Sequence, residues 1–108
     1  MTSPDVLVTS GYTYTPVSTV ALAGTSQLYG RGCRLGGWSV KETTGAAAAT
    51  VQLFAGADSR DQLVADINLL AAESVRDVTP GDGIECDGGI AAVVTAGSVT
   101  VIVWIAEL

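Results

Sequence analysis

Residues Ser98 to Ile105 fit a strand that is apolar on both faces. Val99, Val101, Val103 and Ile105 fall on one side, and Thr100, Ile102 and Trp104 on the other. Side chains alternate across a strand, so neither side of this one suits water. Such a strand lies centrally and is covered twice, or has its second face covered in part by another subunit. It is preceded by a second apolar run, Ile90 to Thr95, and the Ala96-Gly97 step between them reads as a hairpin turn.

The rest of the sequence follows the spacing of an all-β chain, short apolar runs divided by turn residues. Val17 to Ala23 is apolar and stops at Gly24-Thr25-Ser26. Cys33 to Thr43 carries Trp38 and Val40, and its Gly36-Gly37 pair suits a bulge or a close backbone approach. Ala48 to Phe54 alternates, with Ala49, Val51 and Leu53 on one face and Thr50 and Gln52 on the other. A polar loop over residues 55–59 follows. Arg60 to Ser74 fits two templates: Leu63, Ile67 and Leu70 make a helical stripe, while Leu63, Ala65, Ile67 and Leu69 make a strand face. The neighbouring strands favour the second. Short strands are expected around Ser74 to Val78 and Ile84 to Cys86, with Pro80-Gly81-Asp82-Gly83 as a turn.

With 108 residues there is room for one domain and one core. The expected architecture is a single small β-sandwich over residues 17–108, jelly-roll-like, of about eight short strands. Residues 1–16, bracketed by Pro4 and Pro16 and rich in Thr, Ser and Tyr, read as an extended N-terminal arm or a loose tail. Tyr12 and Tyr14 share one face of that segment and could anchor it on this domain or on a neighbour.

Several function classes lose their usual chemistry here. The sequence has no histidine, which removes the commonest general base and the usual zinc ligand. Cys33 and Cys86 form no CxxC pair. They could make one disulfide, but in a cytoplasmic chain they read as two reduced, buried small hydrophobes. Asp82, Glu85 and Asp87 cluster in sequence, as Asp58 and Asp61 do around Arg60. A Ca²⁺ loop or a hydrolytic carboxylate pair is conceivable on paper. The spacing matches no EF-hand, and turn acids in water account for the cluster more simply. Catalytic residues, cofactor and metal are therefore all expected to be absent. A formal charge of −6, with Arg31, Arg34, Lys41, Arg60 and Arg76 well spread, argues against nucleic acid and anionic membrane as partners. The first residues carry neither a basic start nor an apolar stretch, so no secretory signal is read there.

The segment Gly37-Trp38-Ser39-Val40-Lys41-Glu42-Thr43-Thr44-Gly45-Ala46-Ala47-Ala48-Ala49-Thr50-Val51-Gln52-Leu53 resembles one found in small virion-associated β proteins of actinobacterial tailed phages. Their pattern runs roughly G-W-S-x-[KR]-E-T-T-G-x-A-A-A-x-V-x-L. An E-S-x-R-D piece follows, matched by Glu73-Ser74-Val75-Arg76-Asp77, and a G-S-V-x-x-x-V strand, matched by Gly97 to Val103. The likeness spans about Arg34 to Ile105. Where similar proteins place Trp or Phe after the R-D piece, this sequence has Val78.

The resemblance implies a structural protein of the virion and carries over no catalytic residue. The first expectation is a capsid decoration (cement) protein on the head surface, made in the host cytoplasm. Its partners would be the major capsid protein and itself, as a homo-oligomer with a trimer favoured. Tyr12, Tyr14, Ile102 and Trp104 are the expected contact residues. A tail-fibre or baseplate module that recognises the host is the second reading. A small hydrolase using Asp82, Glu85 or Asp87 is the third.

Overall fold

Four long stretches of this chain run side by side and antiparallel, and each creases at the same level. The computed structural model describes residues 7–9, 12–19, 22–58, 60–79 and 83–107. Among them are nine strands: β1 (Leu7–Thr9), β2 (Tyr12–Ser18), β3 (Leu22–Tyr29), β4 (Cys33–Glu42), β5 (Ala49–Ala55), β6 (Gln62–Leu69), β7 (Ser74–Val78), β8 (Ile84–Cys86) and β9 (Ile90–Glu107). The described residues contain no helix.

β9 is the spine. On one side its second half pairs with β2 (Thr15↔Ile105, Ser18↔Ile102) and its first half with β3 (Gly24↔Val94, Gln27↔Ala91). On the other side the second half pairs with β4 (Cys33↔Glu107 to Glu42↔Val99) and the first with β5 (Thr50↔Ala96 to Phe54↔Ala91). β6 then pairs with β5, while β7 and β8 pair with β4. The result is one curled antiparallel sheet of β2–β9, to which β1 is joined through β2.

The expected hairpin at Ala96-Gly97 is therefore corrected. Residues 90–107 are one continuous strand, paired on both sides, and Gly97 (φ 75°) marks a bend in it. The sequence signal was a residue suited to a left-handed backbone, and a bulge uses that property as readily as a turn does. The register breaks here on both flanks, between Leu22 and Gly24 and between Thr50 and Val51. Core positions accordingly switch from Ile90, Ala92 and Val94 before the bend to Val99, Val101, Val103 and Ile105 after it. The other three stretches cross this level with Gly24 (φ 81°), Gly45 (φ 73°) and Ala72 (φ 62°).

Both sides of the crease feed one core. Leu35 and Val40 from β4 meet Ala49, Val51 and Leu53 from β5 and Ile67 and Leu69 from β6, all buried. The alternation expected for residues 48–54 is thus as read. The ambiguous stretch after Arg60 is strand, but its apolar face is broken. A register shift opposite Leu53 and Phe54 turns Leu63 outward, 48 % exposed, and lets Val64 pack on the core instead.

The boundary near Ala23 also moves. Instead of one strand over Val17 to Ala23, β2 ends at Ser18 and β3 begins at Leu22. Of residues 1–16, those described lie in β1 and β2, where Thr15 and Pro16 pair with β9. The remainder of the expected arm, with Pro80, Gly81 and Asp82 of the expected turn, lies outside the described residues.

Candidate functional site

The four expected contact residues fall into two kinds. Tyr14 is fully buried and Trp104 nearly so, each engaged within this chain. The Tyr14 ring lies on Gly36, where a Cβ would come within 2.7 Å of it, and a Cβ at Gly37 would come within 2.7 Å of the Asp77 carbonyl oxygen, which together explain the Gly36-Gly37 pair. The register shift between Leu35 and Gly37 puts the expected bulge at the same point. Trp104 sits opposite Gly37 and Pro16, with the Arg76 guanidinium 4.7 Å from its ring centre. The second face of β9 is thus covered in part by its own chain. Tyr12 keeps 37 % of its surface exposed, its ring tilted by 51° against that of Tyr14 at 6.1 Å and under Arg34 at 4.7 Å. Ile102 is half-buried.

The acidic residues split in the same way. Glu85 and Asp87 come together with Asp61 around a pocket of about 400 Å³ beside Gly56 and Gly88. Asp61 Oδ2 already accepts the backbone N–H of Ala57 (2.8 Å) and of Asp58 (3.3 Å). Among the described residues no three His, Cys, Asp or Glu side chains converge as metal ligands. Asp82 lies outside the described residues. Asp58 is held below its usual range by hydrogen bonds from Arg60, which closes the loop before β6.

Glu42, which the sequence reading did not single out, is the one fully buried acid among the described residues. Its carboxylate accepts backbone N–H groups from Thr44 (2.7 Å), Gly45 (2.7 Å) and Ala72 (3.0 Å), and the Thr44 hydroxyl at 2.7 Å. It therefore ties the 43–48 loop to the 70–73 turn across the crease. The N–H bonds, led by that of Ala72, hold its carboxyl down to about 2 against an ordinary 4.5. Hydrogen bonds that favour the charged form act in this direction. A depressed folded-state value stabilises fully above about 4.5, and that stability is lost as pH falls through 4.5 toward 2. Glu42→Gln is expected to lower Tm at pH 7 and to flatten the acid limb of the Tm–pH curve. An unchanged acid limb in the variant would show that other carboxylates set it.

The surface most available for contact is the edge formed by residues 62–78. β6 pairs only with β5, and β7 only with β4, among the described strands. Each therefore presents an edge that is unpaired among the described residues. Between these edges lies a groove of about 400 Å³. Its apolar lining is Trp38, Val64, Ala65, Ile67 and Val75, and Asp66 and Asp77 stand at it. Three of the four exposed large hydrophobics among the described residues, Leu63, Leu70 and Val78, lie on this same stretch. Neither Asp66 nor Asp77 joins an ion pair among the described residues. Trp38 packs on the core and also floors this groove. The groove was not foreseen, because it joins residues from three strands whose side-by-side order the sequence does not state. Asp66 and Asn68 stand exposed between the core positions Ile67 and Leu69, as strand alternation requires, but the bulge that exposes Leu63 left no mark in the sequence.

No family model, curated protein or solved structure matches this chain.

Proposed function

We propose that this chain is a structural protein of a phage virion, a capsid decoration protein that binds the head lattice and holds neighbouring capsid subunits together. The observation that carries the reading is the 62–78 edge. Two unpaired strand edges flank an apolar groove, and exposed Leu63, Leu70 and Val78 extend it in both directions. Long free edges of this kind invite pairing with another chain unless charge or proline blocks them. Here the edge of β6 carries no proline and no lysine. Asp66 and Asp77 add unpaired negative charge, so the occupant that fits is an extended, basic segment of the major capsid protein. Burying such an edge across a subunit boundary raises the cost of separating the subunits.

The finer architecture belongs to the same reading. The strands on one side of the crease (β2, second half of β9, β4, β7) and those on the other (β3, first half of β9, β5, β6) share one core, as the two sheets of a jelly-roll sandwich do. Tyr12 and Ile102 keep surface on the β2–β9 side, where a homotrimer contact would form without occupying the β6–β7 groove.

Counting copies of this chain against the major capsid protein in purified virions tests the proposal. Between about one-third and one copy per capsid subunit is expected for a lattice-wide decoration protein. A handful of copies per particle would instead place it on the tail or at a unique vertex, and absence would sink the reading. Binding of the purified chain to empty heads is expected to fall at least tenfold in a Leu63→Asp/Val78→Asp double variant. Unchanged binding would move the contact off this edge.

A further inference from the structure

Cys33 on β4 and Cys86 on β8 are direct cross-strand partners. Both are fully buried and both belong to the core cluster. Facing residues of antiparallel neighbours hold their Cβ atoms about 4.5–5.5 Å apart, and a disulfide needs about 3.5–4.5 Å. Less than about 1 Å of approach at each residue therefore separates the dithiol from a bond. The hydrogen bond to Cys33, followed by burial, pushes the Cys86 thiol well up. Cys86 Sγ also lies 3.5 Å from the Ile84 carbonyl oxygen.

β8 is the element with most to gain from a bond at this place. It has three residues, and β4 is its sole strand partner among those described. Gly83 (φ 85°) precedes it and a turn at Asp87-Gly88 follows it. Its strand pairing is the three-pair register Cys33↔Cys86, Arg34↔Glu85 and Leu35↔Ile84.

We propose that Cys33 and Cys86 are a closable staple: reduced as the chain folds, and joined as an intramolecular disulfide on meeting a peroxide-containing, oxidising exterior. The place of closure rests on the virion reading; the chemistry does not. One thiolate attacks hydrogen peroxide, breaking the O–O bond, and becomes a sulfenic acid as hydroxide leaves and is protonated to water. The second thiolate attacks the sulfenic sulfur, forming the S–S bond and expelling a second hydroxide, which is likewise protonated. Two electrons pass from the two sulfurs to the peroxide, and the products are one disulfide and two waters. Burial makes the reaction slow, because β8 must part from β4 before peroxide reaches either sulfur. Once formed, the bond closes the whole stretch between the two cysteines and restricts the unfolded chain more than a short loop would.

The test uses the full chain, first reduced and then treated with hydrogen peroxide. Intact mass and peptide mapping report the bond, and Tm reports its effect. The expected results are a monomer lighter by two hydrogens, a Cys33–Cys86 linked peptide, and a Tm raised by about 10 °C. Dithiothreitol is expected to reverse all three. Cys33→Ser and Cys86→Ser are expected to gain neither link nor Tm, with Cys33→Ala as an apolar alternative should the hydroxyl disturb the core. Thiols that stay free, linkage between two chains, or an intramolecular bond that leaves Tm unchanged or lower would each overturn the staple. The assay needs no capsid, so its failure and that of the decoration reading are told apart.

Discussion

Replacing Tyr14 with alanine is expected to remove about 3–5 kcal/mol of folding stability, the usual cost of deleting a large buried aromatic. Tyr14 has no exposed surface, and its ring covers Gly36 at the bulge of β4. Its hydroxyl lies over Gly83, where an added Cβ would come within 2.8 Å of it. The ring thus joins the β2 stretch, the middle of β4 and the approach to β8. Removing it leaves a cavity where these three elements meet. Against a total stability of about 5–15 kcal/mol for a domain of this class, such a loss shifts the urea midpoint far toward zero. Tyr14→Phe keeps the ring and is expected to lose less than half as much. If urea titration finds Tyr14→Ala within about 1 kcal/mol of the parent, residues 12–18 are an accessory and not part of the domain. That result would restore the arm reading for this stretch.

The Tyr14 case shows what the sequence made legible and what it did not. Tyr12 and Tyr14 were readable as a pair on one face, and their rings do meet at 6.1 Å. Which surface received them depended on a glycine more than twenty positions away along the chain, and alternation carries no information about such a partner. The same divide runs through the rest of the molecule. Ala49, Val51 and Leu53 follow their local period into the core, because one flat strand decides its own two faces. Val64 breaks the period of β6, because the bulge that turns Leu63 outward arises from pairing with β5. Glu42 reads locally as one more exposed acid at a strand end. Its role emerges only when the 70–73 turn is brought alongside to donate the Ala72 N–H. Trp104 was legible as apolar on the second face of its strand. That its cover comes from Arg76, on β7, required the strand order.

Gly97 carries the second large effect, and it separates two physical terms that usually arrive together. The residue holds φ at 75°, where an L side chain costs about 1–2 kcal/mol. An added Cβ would also lie 2.7 Å from the Ala48 carbonyl oxygen and 2.9 Å from the Ala49 Cβ, both fixed by backbone rather than by a flexible side chain. Overpacking of that kind adds about 1–3 kcal/mol. Gly97→Ala is therefore expected to lose about 2–5 kcal/mol in all, and Gly97→Val to lie at the upper end because its branched Cβ meets the same atoms. Gly24 stands on the neighbouring stretch at the same crease with φ 81°, yet nothing lies within 4 Å of a Cβ built there. Gly24→Ala thus incurs the conformational term alone, about 1–2 kcal/mol. Urea unfolding of the two alanine variants side by side measures the difference. A loss at Gly97 no greater than at Gly24 would mean that the strand β9 can move away from Ala48, and that the crease is softer than its contacts imply. A clear excess at Gly97 would establish the bend in β9 as the rigid line on which both halves of the sheet are hung.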